Sequence, residues 1–495
     1  MDFMKRACLQ QNTNTYEQNH ASSIRPLKIN FVRMKQIYLR GLLTLQLFLK
    51  TIFITSVFTG CFFSDPSSAK GKPGSSLETA ISDDSLLTLV QYRTFQYFWE
   101  GAEPVSGMAR ERIHMDDVYP ENDQNVVTTG GTGFGIMAIL TGIERGFITR
   151  EQGLKHLQKV VDFLMKADRF HGAWPHWLYG ESGKVKPFST KDDGADIVET
   201  AYLMQGLLAA RQYFDRKTEP ERKLVTDINR LWEEVEWDWF TRGGKHVIYR
   251  HWSPRYDWEM NFPVEGYNEC LILYVFAASS PTHPVNPVAY HEGWARGGKI
   301  KGNSRPYGFV LALKHNGAGE YGGPLFWAHY SFLGLDPRHL KDQYANYWEH
   351  NVNQTLINRQ WCIENPRKYL GYGPACWGLM AEYSPVGYAA HAPGKKTDLG
   401  VISPTAALSS FPYTPEYSME ALKCFYYQLG DKIWGKYGFY DGFSETAKWY
   451  PERYLAVDQG PQVVMIENYR SGLLWNLFMS CHEIQNGLRK LGFEY

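Results

Sequence analysis

Asp196 and Glu199 stand three residues apart in Lys191-Asp-Asp-Gly-Ala-Asp-Ile-Val-Glu-Thr200, where an apolar run from Ile197 to Leu208 begins. Residues at i and i+3 share one helix face, so both carboxylates would point the same way. They would do so beside a helix N-terminus, whose free N–H groups favour anions. Two further stretches carry acids at similar places. Asn261-Phe-Pro-Val-Glu-Gly-Tyr-Asn-Glu269 puts Glu265 and Glu269 in the first turn or two of an apolar segment, Pro263 to Ala278. A glutamate at the mouth of such a helix is desolvated, which raises its pKa and suits a general acid. Val457-Asp458-Gln-Gly-Pro sets Asp458 on a turn before a helix from Val463, well placed to activate water. Glu467, deeper in that helix, reads as the acceptor of a buried hydrogen bond. Taken singly, each acid also fits a helix cap. Together they match the chemistry of glycosidic-bond cleavage, in which one carboxyl protonates the leaving oxygen and another serves the water.

A sugar also needs flat partners. Aromatic residues make up 15% of the chain, and its 16 tryptophans all lie from Trp99 onward. The candidates for stacking or lining a glycan cleft are Trp174 and Trp177, with Asp192 beside Asp196, then Trp327 and Trp377. Trp252, Tyr256, Trp258, Tyr321 and Phe326 form a second tier, and Arg250, Arg255, Arg305, Lys314 and His329 could meet sugar hydroxyls. Taken singly, each such aromatic residue is more often core than platform.

Other chemistries find little support. Gly130-Gly-Thr-Gly-Phe-Gly135 echoes a dinucleotide loop but lacks the strand and βαβ context that motif needs. It reads instead as a helix start built for close packing. His171, His176 and His329 come without HExxH spacing, so no metal and no cofactor is expected. No Gly-x-Ser-x-Gly elbow occurs. The seven cysteines show no CxxC pair, and Cys270, Cys376, Cys424 and Cys481 read as small buried hydrophobes. Lys plus Arg equal Asp plus Glu at 52 each, so the basic excess of a nucleic-acid binder is missing.

The elements that must position these acids are helices. Apolar spacing predicts them over 86–99, 134–144, 153–166, 196–214, 220–240, 263–278, 324–335, 342–363, 374–383, 404–410, 415–429, 463–481 and 482–491. Strongly apolar segments alternate with striped ones, as inner and outer helices would. The expected class is all-α, an (α/α)6 toroid of helical hairpins, with one short β-hairpin insertion around His246-Val-Ile-Tyr-Arg250. Loops leading into inner helices would converge on one face, where the acids fall.

The N-terminal part reads as an address. A basic start at Met34-Lys-Gln-Ile-Tyr-Leu-Arg40 precedes the apolar run Gly41 to Gly60 and then Cys61. Phe58-Thr-Gly-Cys61 resembles a bacterial lipobox, which makes Cys61 the lipidation site. The expected division is 1–61 extension and lipoprotein signal, 62–80 tether, and 81–495 catalytic domain. This places the protein, expected to be a monomer, as an exported lipoprotein, periplasmic or at the outer membrane or cell surface of a Gram-negative bacterium.

Asp192-Asp-Gly-Ala-Asp-Ile-Val-Glu-Thr-Ala201, Pro263-Val-Glu-Gly-Tyr-Asn-Glu269 and Val457-Asp-Gln-Gly-Pro-Gln-Val-Val-Met-Ile-Glu-Asn-Tyr-Arg470 resemble the signature stretches of the bacterial glycoamylase-like domain. That family includes endo-β-1,2-glucanases. The resemblance covers the chain from about Asp83 to its end. It implies an (α/α)6 fold and metal-independent, inverting, internal hydrolysis of β-1,2-glucan. Under it Glu269 matches the general acid, Asp458 the base, and Asp196 and Glu199 the acids shaping a substrate subsite. Hydrolysis of another glucan, or glycan capture without catalysis, are the alternative readings.

Overall fold

The computed structural model describes residues 81–214 and 218–495. The signal stretch, Cys61 and the 62–80 tether lie outside the described residues. Twelve α-helices of at least five residues occur within them: α1 (Asp83–Trp99), α2 (Thr129–Glu144), α3 (Arg150–Leu164), α4 (Ile197–Tyr213), α5 (Glu219–Glu233), α6 (Leu271–Ser279), α7 (Tyr347–Glu364), α8 (Pro404–Leu408), α9 (Pro415–Lys423), α10 (Ala456–Arg470), α11 (Leu473–Met479) and α12 (His482–Lys490). Buried helices alternate with striped ones, as the apolar pattern predicts. Every residue of α6 and of α4 from Ile197 to Arg211 is buried. The neighbouring α3 and α5 bury one face each, Leu157, Val160, Val161 and Leu164 in the first and Leu224, Ile228, Leu231 and Trp232 in the second. Among the described residues no helix is long and apolar enough to cross a membrane.

The glycine run at 130–135 lies inside α2 and lets it meet α4 backbone to backbone. A Cβ on Gly133 would stand 2.1 Å from the Tyr202 carbonyl, and one on Gly206 equally close to the Gly133 carbonyl. Side chains at either position would force the helices apart. α10 packs on α2 and α1, and α12 on α6.

Short antiparallel sheets join the loops. β1 (Arg112–His114) pairs with β13 (Arg453–Leu455); β2 (Val126–Thr128), β3 (Trp177–Tyr179) and β4 (Val185–Lys186) form one sheet; β5 (Ala195–Asp196) pairs with β6 (His251–Trp252). β7 (Lys301–Ser304) pairs with β8 (Leu311–Leu313), β9 (Ala381–Ser384) with β10 (Gly387–Ala390), and β11 (Trp434–Gly435) with β12 (Gly438–Phe439).

Several expectations are corrected. No hairpin forms over 246–250: Tyr249 makes a lone bridge to Pro263, and the strand that follows pairs with residues 195–196. Pro263 to Glu269 is not helical, because its N–H groups are spent elsewhere. Val264 donates to Ile248 (2.8 Å) and Gly266 to Trp294 (2.8 Å), so α6 starts only at Leu271. Residues 374–380 are not helical: Pro374 and Ala375 make a turn closed by the Gly373–Cys376 bridge, and the chain runs on past Gly378 (φ 134°), where a Cβ would meet the Ser403 carbonyl at 2.8 Å, into β9. Residues 324–335 hold only two 3-10 turns. Helix α10 begins at Ala456 and contains Pro461, so Asp458 sits within its first turn and not on a preceding loop.

Candidate active site

Asp196 caps α4. Its Oδ1 accepts the N–H groups of Val198 (3.0 Å) and Glu199 (3.1 Å), which a helix start leaves unpaired. Its Oδ2 accepts from Arg250, at 3.0 Å from Nε and 2.8 Å from Nη2, and lies 3.1 Å from His176 Nδ1. Asp196 is fully buried. Burial alone would raise its pKa, but Arg250 and His176 outweigh it and hold the carboxyl well below its usual range. The pairing of β5 with β6 sets Asp196 opposite His251, next to Arg250, and so brings the guanidinium to the cap.

Glu199, one turn on, accepts the Gly130 N–H at 3.0 Å and lies 3.8 Å from His176 Nε2. Burial raises its pKa. Asp192 is buried, with one carboxylate oxygen 3.2 Å from His251 Nε2 and the other 3.9 Å from Arg250. His251 Nε2 accepts the Gly194 N–H, so it offers no proton, and both Asp192 oxygens lack a hydrogen bond among the described residues. His176, Asp196 and Glu199 offer ligand atoms within 4.8 Å of one another, the spacing of a cation site. Arg250 already provides the positive charge against Asp196, which leaves a metal ion little to gain.

Glu269 lies just before α6, with its carbonyl held by Tyr202 Oη (3.3 Å) and by the Ser331 hydroxyl. Its Oε2 is buried without a partner. Burial pushes the carboxyl up to about 7, with Arg250 opposing and Glu199 adding. The ring of Tyr330 packs against Phe134 and Tyr202, with centroids 5.1 and 5.7 Å away. The Tyr330 phenol feels Asp458, Glu269 and Glu199 together, so the acids of three separate segments surround one centre.

Asp458 differs from Asp196 in its company. It is 1% exposed, and its carboxyl lies against that of Asp441, which is 4% exposed. Glu382 on β9 is also fully buried, and His391 Nδ1 lies 2.8 Å from Glu382 Oε1, out of hydrogen-bond alignment. Burial, then Asp441, holds Asp458 well above the usual carboxylate range. Burial likewise pushes Asp441 up to about 6, raises Glu382, and lowers His391 to about 4. Each carboxyl of the cluster therefore holds a proton more tightly than a free one does.

The structure thus gathers Asp192, Asp196, Glu199, Glu269 and Asp458, together with Arg250. It does not bring Glu265 into this group: that side chain is 41% exposed and paired with Arg296 at 3.0 Å. Trp174, Trp327 and Trp377 are corrected from sugar platforms to core residues, since each is at most 1% exposed and presents no ring face to a ligand. Trp177, at 8%, packs edge-on to His176 and Phe188 beside the Asp196 cluster. His329 is buried against Ser410. Glu467 is the hydrogen-bond acceptor expected of it, bound by Arg145 at 2.6 and 2.8 Å. Asp441, Glu382 and His391 were not foreseen. Asp441-Gly442 reads as a turn, and nothing in the sequence links it to Asp458.

The chain is similar to several known proteins. Residues 261–482 match a family model described as "Putative glucoamylase". An endo-β-1,2-glucanase from Chitinophaga pinensis, solved with sophorotriose and glucose, is 65% identical, covers 84% of this chain and 99% of its own, and superposes with a TM-score of 0.83. A "putative glucoamylase" structure from Bacteroides caccae is 60% identical over 83% of this chain and 100% of its own, with a TM-score of 0.82. An exo β-1,2-glucooligosaccharide sophorohydrolase from Parabacteroides distasonis is 44% identical over 429 residues, 83% of this chain. The chain spans 58% of the length of that curated relative.

Proposed function

Because the chain belongs to the bacterial glycoamylase-like family, we propose that it is a glycoside hydrolase that cleaves β-1,2-glucan internally, with inversion at the anomeric carbon. The observation that carries this reading is the contrast at one centre between Glu269 and Asp458. Glu269 is buried, has an unpartnered oxygen and is pushed up to about 7, so it holds a proton to give at neutral pH. Asp458, in the first turn of α10, has both oxygens free of N–H donors among the described residues, which leaves them able to accept a proton. Glu269 protonates the departing glycosidic oxygen as the C–O bond breaks. Asp458 takes the proton of the attacking water, directly or through a sugar hydroxyl. Asp192, Glu199 and Arg250 supply fixed acceptors and one donor for sugar hydroxyls beside the scissile bond, Asp196 shapes the subsite by holding Arg250 in place, and Trp177 edges it.

The alternating buried and striped helices support closure into an (α/α)6 ring with these acids at one mouth. The basic start, apolar run and Cys61 support export and lipid anchoring of a monomeric enzyme. Mass spectrometry of the membrane-extracted protein tests that placement, and an unmodified Cys61 would refute it. Internal cleavage is favoured by the 65% identity to an enzyme described as endo-acting, against 44% to one described as exo-acting.

The product profile of residues 62–495 on linear β-1,2-glucan, followed by chromatography, tests the reading. A ladder of short oligosaccharides at early times is expected. Disaccharide alone would move the enzyme to exo action. Polymer left intact, with other glucans cleaved, would change the substrate. If all glucans bound and survived, the protein would be a capture protein. Proton NMR of fresh product should show the α anomer first.

A further inference from the structure

Asp441 reaches the site from outside every motif read in the sequence. It follows Tyr440, between β12 and β13, and its backbone is tied on both sides: its N–H donates to the Arg453 carbonyl at 2.9 Å, and its carbonyl accepts from Ser403 Oγ at 2.8 Å. Two residues on, Thr405 Oγ1 donates to the Asp458 carbonyl at 2.6 Å. The start of α8 therefore pins both aspartates with hydroxyls from one turn, and their carboxyls meet. Asp441 Oδ2 is fixed as an acceptor by the Tyr383 N–H at 2.6 Å. That leaves Oδ1, which meets no N–H among the described residues, to face Asp458.

Two buried carboxylates in contact repel unless a proton lies between them. Neither forms an ion pair among the described residues. The titratable groups around them are Glu382 from β9, His391 and Tyr388 from the β10 arm, Glu111 beside β1, Tyr383, and Tyr330. Arg112 and Arg453 act on Tyr383, one residue removed.

We propose that Asp441 is a positioning residue that shares a single proton with Asp458, so that the hydrogen-bonded pair, and not Asp458 alone, is the base of the reaction. The inference rests on the reading of Asp458 as the base. In the resting pair Asp458 donates to the Asp441 carboxylate. As water attacks the anomeric carbon, its proton passes to the second Asp458 oxygen, while the first crosses to Asp441 Oδ1. The new C–O bond forms and the glycosidic C–O bond breaks with the proton of Glu269. The pair ends neutral, Glu269 ends ionised, and charge balances. Carboxyl pairs of this kind titrate together.

The experiment pairs kinetics with infrared spectroscopy on the whole enzyme. In Asp441→Asn the amide can donate to Asp458 but cannot take its proton, so Asp458 ionises at lower pH. The acid limb of kcat/KM should move down by about one pH unit or more, the size of shift a neighbouring carboxyl produces, while kcat at the optimum falls. A merely structural Asp441 would lower activity without moving the limb, and an unmoved limb overturns the proposal. Difference infrared spectra at neutral pH should show a protonated-carboxyl C=O band that is lost in both Asp441→Asn and Asp458→Asn. If Asp441→Asn fails to fold, the wild-type and Asp458→Asn spectra decide alone, and no band lost between them overturns the shared proton. Asp458→Asn with near-wild-type turnover would instead refute the reading of Asp458 as base, whatever the infrared shows.

Discussion

Asp196 and Asp458 are both buried acids in the first turn, or at the cap, of a mostly buried helix, yet their surroundings are opposite. Asp196 has two backbone N–H groups, a guanidinium and an imidazole against its two oxygens. Asp458 has no cation and shares its space with two more carboxyls, Asp441 and Glu382. A compensated charge stays ionised and rigid, and it is suited to holding a substrate. Uncompensated carboxyls bind a proton more readily than free ones, which suits them to proton transfer near neutral pH. The proposed division of labour follows from where the cations are, with Arg250 and His176 beside Asp196 and, among the described residues, none beside Asp458.

Breaking the uncompensated side should have the largest effect. Asp458→Asn is expected to lower kcat/KM on β-1,2-glucan by about 10²–10⁴-fold, the usual worth of a proton-transfer group. Its near-UV circular dichroism should match the wild type, because no cation is stranded. Breaking the compensated side should instead damage the fold. Arg250→Met strands Asp196 in the interior and should cost about 3–5 kcal/mol in urea unfolding, the typical penalty for removing one partner of a buried pair. A loss of activity without that instability would mean Arg250 acts only on substrate.

The pH dependence of stability sharpens the contrast. Glu269 titrates at about 7 when folded and near 4.3 when unfolded, so the folded state binds this proton more tightly. Its contribution to stability is full below about 4 and is lost as pH rises through about 7. Glu269→Gln never ionises, so it should raise Tm by a few degrees at pH 8 and leave it unchanged at pH 4. Asp196 has the opposite sign: its folded pKa is depressed, and its contribution is present above about 3.9 and lost as pH falls further. An equal Tm difference at both pH values would contradict the account of Glu269. The smallest effect belongs to Glu265→Gln, which removes only a partly exposed ion pair with Arg296. It should change stability by less than about 1 kcal/mol and leave kcat/KM as it was.

What the sequence revealed, and what it hid, follows the same physics. Asp196, Glu199, Glu269 and Asp458 were legible because helix starts announce themselves locally, through an acid before an apolar run. The alternation of buried and striped helices was legible for a similar reason. Helix limits were not: Pro263 and Pro374 look like first-turn prolines, but after the first the N–H groups bind other segments of the chain, and after the second Cys376 turns back on Gly373. Trp174, Trp327 and Trp377 could not be assigned from composition, since a buried ring and a sugar platform need the same residue. Asp441, Glu382 and His391 come from a turn and a hairpin far along the chain from Asp192 and Glu269, and only the folded chain brings them to Asp458.

The roles of Glu269 and Asp458 are tested most directly by the leaving group. Initial rates of Glu269→Gln and Asp458→Asn would be compared on linear β-1,2-glucan and on an aryl β-1,2-gluco-oligosaccharide whose nitrophenolate departs without protonation. If Glu269 is the acid, its variant should recover most of its rate on the aryl substrate, while Asp458→Asn stays equally impaired on both. Recovery by Asp458→Asn, or by neither variant, would contradict the assignment.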